Sequence, residues 1–371
     1  MDTDPHATLG LTLKRTPKVE TPPTERDILT HIVGQTSGLD AAWPANEVIN
    51  LYVALKTKPF AILTGPPEAG QRLARRFARA LVGPHPIQHQ TLQAHPWWAN
   101  RTGDVGHYGA LQTRVNGLKL YECLQAAAAA MSDGLTFFVH LEDMSPAEVE
   151  GYFCDLPNGF HQGDGRLHLP GFTVRCPTQF PANLYLIGTL DPRWDSGYHF
   201  GQCVLTTATI IHVMPLTSAP TLAALPTPTF PPSGYQKVFV ESAVRDEDRA
   251  KTKLRAILGD ESPAREPLEE VEWLLWAHHI ELDPMALRTG LCYLANGFDS
   301  EGRGLFAADP LANLSIALDY VIAQEILPRL KETLVENKAA RQELADYLTG
   351  RYPRALWQIL PARHRKTHCP G

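Results

Sequence analysis

Apolar positions in this chain fall into short unbroken runs, separated by longer stretches with helical spacing. Phe60 to Thr64, Leu135 to Met144, Asn183 to Asp191 and Val204 to Val213 are such runs, rich in Val, Ile, Leu, Phe and Thr. Runs of that length predict strands buried on both faces, as in a parallel sheet. A further short strand is predicted within Gly171 to Phe180. Between the runs, Leu73, Phe77 and Leu81 lie at i, i+4 and i+8, with Ala74 and Ala78 beside them. That spacing predicts a helix with one buried stripe. Helices are also predicted near Arg26 to Val33, over Ala45 to Lys56, and over Leu118 to Met131 with its alanine run Ala126 to Ala130. Strands alternating with helices predict an α/β fold, three layers deep, around a mainly parallel sheet.

The pattern changes after Val213. Pro215 to Gly234 is rich in proline and holds no charged residue, which predicts an extended linker. From Pro267 onward the spacing is helical throughout: Leu268 to His278, Pro284 to Ala295, Leu311 to Ile326 and Leu330 to Leu348. The expected organisation is an N-terminal arm and helix (1–40), an α/β core (41–214), a proline-rich linker (215–235) and a helical domain (236–371).

Between the first strand and its helix lies Gly65-Pro66-Pro67-Glu68-Ala69-Gly70-Gln71-Arg72. The framing glycines are those of a phosphate-binding loop, G-x-x-x-x-G-K-[ST]. Gln71 stands at the lysine position, and Arg72 at the Ser/Thr position. The next long strand ends in Glu142-Asp143. Acids at a strand end downstream of such a loop are the residue types that hold Mg²⁺ and polarise water. Arg72, Arg75, Arg76 and Arg79 line the rest of the first helix, either as a solvated basic face or with Arg72 or Arg75 reaching back to an anion. The tryptophans Trp97 and Trp98 sit in a polar, glycine-rich stretch that reads as a packed or interface loop.

Composition narrows the class. The chain has 371 residues, 44% hydrophobic and 20% charged, with a formal net charge of −6. That balance gives no electrostatic reason for strong binding to nucleic acid or membrane by this chain alone. Its six cysteines contain no C-x-x-C pair, so reduced thiols in a cytoplasm are expected. Neither a signal peptide nor a membrane span is expected. His278, His279 and Glu281 lack zinc-ligand spacing.

Several stretches resemble, in the same order, the McrB-like branch of the AAA+ NTPases, the ring-forming motors of modification-dependent restriction systems. Ala54 to Gly65 is similar to the family's entry into its P-loop, and Trp98-Ala99-Asn100-Arg101 through Gly106-His107-Tyr108 to the loop before its second helix. Leu141-Glu142-Asp143-Met144 with Val149-Glu150 and Tyr152-Phe153 resembles the Walker B segment. Asn183 to Leu190 resembles the sensor 1 strand. Ala317-Leu318-Asp319 with Ile326-Leu327-Pro328-Arg329-Leu330 resembles the helical lid. The resemblance implies an AAA+ α/β core followed by an α-helical lid. It also implies ATP or GTP with Mg²⁺ where the site works, and no cofactor where it does not. The nucleotide would be held by Gly65, Pro66, Pro67, Glu68, Ala69, Gly70, Gln71 and Arg72, with Arg288 as sensor 2. The chemistry would fall to Glu142, Asp143 and Asp191, with Glu142 on the metal.

The departures from that family point one way. Glu68 replaces an inner glycine and would repel phosphate. Gln71 removes the charge on the β/γ-phosphates, and losing one charge-assisted contact costs about 1.5–3 kcal/mol. The usual Asp-Glu order is reversed in Glu142-Asp143, and Asp191 stands where sensor 1 presents Asn. Leu205-Thr206-Thr207-Ala208 carries no arginine where the family places its finger, a group worth about 10³–10⁵ in rate in GTPases. Three functions stay open at this point. The first is a catalytically degenerate AAA+ subunit in a ring or defence complex, homo- or hetero-oligomeric with AAA+ or nuclease subunits and reaching nucleic acid through them. The second is a divergent but working ATP- or GTP-driven motor acting on nucleic acid. The third is a binding module with no nucleotide.

Overall fold

The computed structural model describes residues 23–36, 43–93, 106–161, 166–169, 172–175, 179–191, 199–214, 231–232 and 234–360. Its elements run α1 (Glu25–Thr36), α2 (Ala45–Thr57), β1 (Phe60–Thr64), α3 (Pro67–Val82), β2 (His89–Gln93), α4 (Gly106–Ala129), β3 (Phe137–Glu142), α5 (Pro146–Glu150) and α6 (Leu156–His161). A hairpin of β4 (Arg166–Leu169) and β5 (Phe172–Arg175) precedes β6 (Leu184–Leu190), α7 (Gln202–Thr207) and β7 (Ala208–His212). Helices follow: α8 (Tyr235–Glu241), α9 (Glu247–Leu258), α10 (Ser262–Ala277), α11 (Pro284–Asn296) and α12 (Pro310–Val321). The last are α13 (Leu327–Glu336), α14 (Lys338–Leu348) and α15 (Pro353–Ile359).

The main sheet has five strands in the order β2-β3-β6-β1-β7, and every pair in it is parallel. Alternate residues of β1 enter different cores, as a strand covered on both faces requires. Ala61 and Leu63 join one core with α1, α2, α3 and the helices from α8 onward. Phe60 and Ile62 join the other with α4, the segment Val149 to Leu156, and α7. The expected α/β class with a parallel sheet is what the chain forms. The helices after residue 234 share the first core with α2 and α3 rather than packing apart from it.

Several expectations are corrected. Residues 204–207 belong to helix α7, and only Ala208 to His212 form the strand. The threonines that read as strand formers bond to their own helix: Thr206 Oγ1 donates to the Gln202 carbonyl at 2.9 Å and Thr207 Oγ1 to the Cys203 carbonyl at 3.0 Å. The strand expected within Gly171 to Phe180 is half of the antiparallel β4–β5 hairpin, outside the main sheet. The stretch Leu330 to Leu348 is two helices, broken where the Asn337 side chain caps α14 by accepting from the Ala340 amide at 3.0 Å. Cys154 and Cys203 are joined as a disulfide, with Cα atoms 5.5 Å apart, so the expectation of reduced thiols fails for that pair. Cys123 and Cys292 are free and buried. The proline-rich stretch lies mostly outside the described residues, as do the N-terminal arm and Trp97, Trp98 and Arg101. Among the described residues, no helix is long and apolar enough to cross a membrane.

Candidate functional site

In a parallel sheet, ligands gather at the carboxyl ends of the strands. There β1 and β3 flank β6, so the glycine turn after Thr64 and the acids after Leu141 face one crevice. Gly65 is fixed by geometry. Its φ is +137°, and a Cβ there would lie 2.4 Å from the Val213 carbonyl oxygen. Only glycine makes this turn without displacing the end of β7.

The turn is much shorter than a phosphate loop. α3 begins at Pro67, so the residues that should arch over phosphate form the first helical turn. The amide donors are accounted for. Pro66 and Pro67 have none. Gly65 donates to the Leu190 carbonyl at 3.4 Å, while Ala69 and Gly70 donate to the Pro66 carbonyl at 3.0 and 3.3 Å. Only the Glu68 amide is left, on the residue whose carboxylate repels anions. Gly70 faces the sheet: a Cβ on it would stand 3.2 Å from Thr189 Cγ2 and 3.4 Å from Leu63 Cβ.

Side chains complete the closure. Arg75 Nε donates to Glu142 Oε1 at 2.7 Å, and its terminal nitrogen lies 2.7 Å from the same oxygen. Glu142 is buried. Gln71 Nε2 donates to Asp143 Oδ1 at 2.8 Å, and Gln71 Oε1 accepts from Arg75 at 3.5 Å. Asp143 is held in a left-handed conformation, φ 54°, with its amide donating to Thr189 Oγ1 at 3.1 Å. Arg72 pairs with Glu68 at 3.2 Å, an exposed pair of little energetic weight. Of the two arginines considered for reaching back to an anion, both do so, and each anion is a protein carboxylate.

Two histidines under α3 were not singled out by sequence pattern. His140 is buried, with neither ring nitrogen hydrogen-bonded. Burial, helped by His89 and Arg75, pushes its pKa down to about 3. Burial, Arg79 and Arg75 push His89 down to about 4. The 3.5 Å approach of His140 Nδ1 to Glu142 is therefore a neutral contact at physiological pH, and Arg75 is the cation at Glu142. No sequence signal marks His140, since an imidazole inside a strand run looks like any polar interruption.

The remaining expected site residues sit as follows. Asp191 is buried just past the end of β6. Arg288 is engaged elsewhere: its Nε donates to Glu247 of α9 at 2.7 Å. The stretch Leu205 to Ala208 is tied to the helical region instead of facing outward. The Leu205 carbonyl accepts from Lys58 Nζ at 3.1 Å and from Arg329 at 2.6 Å.

A magnesium nucleotide needs free loop amides, a lysine, a hydroxyl and an available acid. This site supplies prolines, a helical turn, Gln71, Arg72 and a carboxylate already held by Arg75. The donor set does not fit that group. Among the described residues, no cluster of three or more His, Cys, Asp or Glu is arranged to hold a metal ion. No protein-family model and no curated protein matches the chain.

Proposed function

We propose that this chain is a degenerate relative of the McrB-like AAA+ NTPases, kept as a structural or regulatory subunit of an oligomeric complex and not as a motor. The observation that carries this reading is the Arg75–Glu142 ion pair with its neighbour, the Gln71–Asp143 hydrogen bond. A permanent internal cation takes the place beside the acids that Mg²⁺ and phosphate charge take in a working enzyme. The shortened turn after β1 removes the amide cradle as well. Support for the fold half of the reading comes from the parallel sheet, which brings the glycine turn and the acid pair to one crevice.

On this reading ATP or GTP with Mg²⁺ binds weakly or not at all. The partners are AAA+ or nuclease subunits of a restriction-type defence complex, and nucleic acid is met through them. The defence context rests on the resemblance alone. The compartment proposed is the cytoplasm, although the Cys154–Cys203 disulfide is a bond that cytoplasmic proteins seldom keep. The test is phosphate release from the purified chain at millimolar ATP or GTP with Mg²⁺. Background turnover, unchanged by Glu142→Gln, is expected. Turnover that Glu142→Gln abolishes would overturn the proposal.

A further inference from the structure

α10 has two apolar faces where a surface helix needs one. Leu268, Val271, Leu274 and Leu275 are buried. On the outer side Trp273 and Trp276 are 73% and 65% exposed, more than any other large apolar side chain among the described residues. At i, i+3 they are neighbours on one face. Each indole carries about 150–250 Å² of surface, so the two together expose apolar area approaching the few hundred Å² at which patches on monomers are often functional.

The charge around the pair says what covers it. Side chains on a helix lean toward its N-terminus, and the turn on that side is acidic. Glu269 lies four residues before Trp273, and Glu272 four before Trp276. Glu269 is answered by Arg265 at 2.5 Å, and Glu270 by Arg351 at 3.5 Å and the Tyr347 hydroxyl at 2.8 Å. Glu266 and Glu272 have no ion-pair partner among the described residues. Indole faces attract cations, and the unanswered carboxylates, Glu272 next to the pair and Glu266 two turns before Trp273 along the same helix, add to that attraction. The same carboxylates repel the phosphates of nucleic acid and of anionic lipid.

We propose that the outer face of α10 docks a cationic segment of a partner protein. Its arginine or lysine side chains lie on the Trp273 and Trp276 rings and pair with Glu266 and Glu272, while its apolar side chains cover the ring edges. This surface does not depend on the reading of the crevice, and a working NTPase would carry it equally.

The probe is a fluorescent amphipathic lysine–leucine helix peptide, titrated into the full chain and followed by anisotropy, with a glutamate–leucine peptide as control. Saturable binding of the cationic peptide alone is expected. Trp273→Ala with Trp276→Ala should weaken it about tenfold, the scale of an aromatic anchor. Glu266→Gln with Glu272→Gln should weaken it several-fold and flatten its salt dependence. Glu266, Trp273 and Trp276 are exposed and Glu272 is half-buried at the flank of α10, so the thermal melt of each variant should stay close to that of the parent. The proposal is overturned if the parent does not bind the cationic peptide, or if the variants bind it as tightly as the parent. It is equally overturned if phosphatidylserine vesicles or a second copy of this chain occupy the tryptophan face in flotation or sedimentation runs.

Discussion

Arg75 decides the chemistry of the crevice. Its guanidinium reaches from the third turn of α3 to a buried carboxylate on β3, so Glu142 already has a cation within the chain. Removing a cation from a buried acid leaves that acid unanswered. Arg75 is about half exposed, so solvent screening discounts the effect. Arg75→Ala should therefore lower unfolding free energy by about 1 kcal/mol in denaturant titration, and no loss would mean that the pair is incidental. Gly65 carries a different burden. Gly65→Ala forces a Cβ toward the Val213 carbonyl at a strained φ, and a loss of about 2 kcal/mol or more is expected from the same titration. At this scale the glycine turn with Gln71 and Arg72 was legible, because a motif is a local pattern. The Arg75–Glu142 pairing was not, because it spans 67 residues and exists only once α3 packs over the sheet.

Elements were legible where one period dominates. β1, β3 and β6 are buried along their whole length, and continuous apolar runs announced them. β2 escaped because His89-Gln90-Thr91-Leu92-Gln93 is polar and only Leu92 is buried, as an edge strand permits. The helical half of 204–213 escaped because threonine favours strands by pattern, while its hydroxyl can also close onto its own helix. The packing of α3 over β2 and β3 has a consequence in pH. His89 and His140 have folded pKa values below the ordinary 6.5, so the unfolded chain binds more protons between the two values. Their contribution to stability is complete above pH 6.5 and is lost as pH falls toward about 4 for His89 and about 3 for His140. A decline on the order of a few kcal/mol over that window is expected, and His140→Leu should flatten it. A slope identical in the variant would place the titration elsewhere.

At the scale of the whole molecule, a buried polar junction ties the sheet to the helical region. Glu325 accepts from Lys58 at 2.8 Å and from Thr209 Oγ1 at 2.8 Å, with Arg329 at 3.4 Å. Burial lowers the Lys58 pKa against the pull of Glu325. This junction joins Lys58, two residues before β1, to strand β7 and the helical segment after α12, so moving that segment off the sheet would break a buried ion pair. Glu325→Ala strands the Lys58 charge, and about 3–5 kcal/mol of destabilisation is expected by calorimetry or denaturant. Replacing Lys58 and Glu325 together by methionine should cost much less than the sum of the single changes. On the reading proposed above, of a catalytically silent subunit, no lid movement that would open this junction is required. The most direct test of that silence is calorimetric titration of the purified chain with ATP and with GTP, with and without Mg²⁺. The account predicts no binding heat up to millimolar nucleotide. Micromolar, Mg²⁺-dependent binding lost in Glu142→Gln would contradict it, because it would mean that nucleotide and metal displace Arg75 from Glu142.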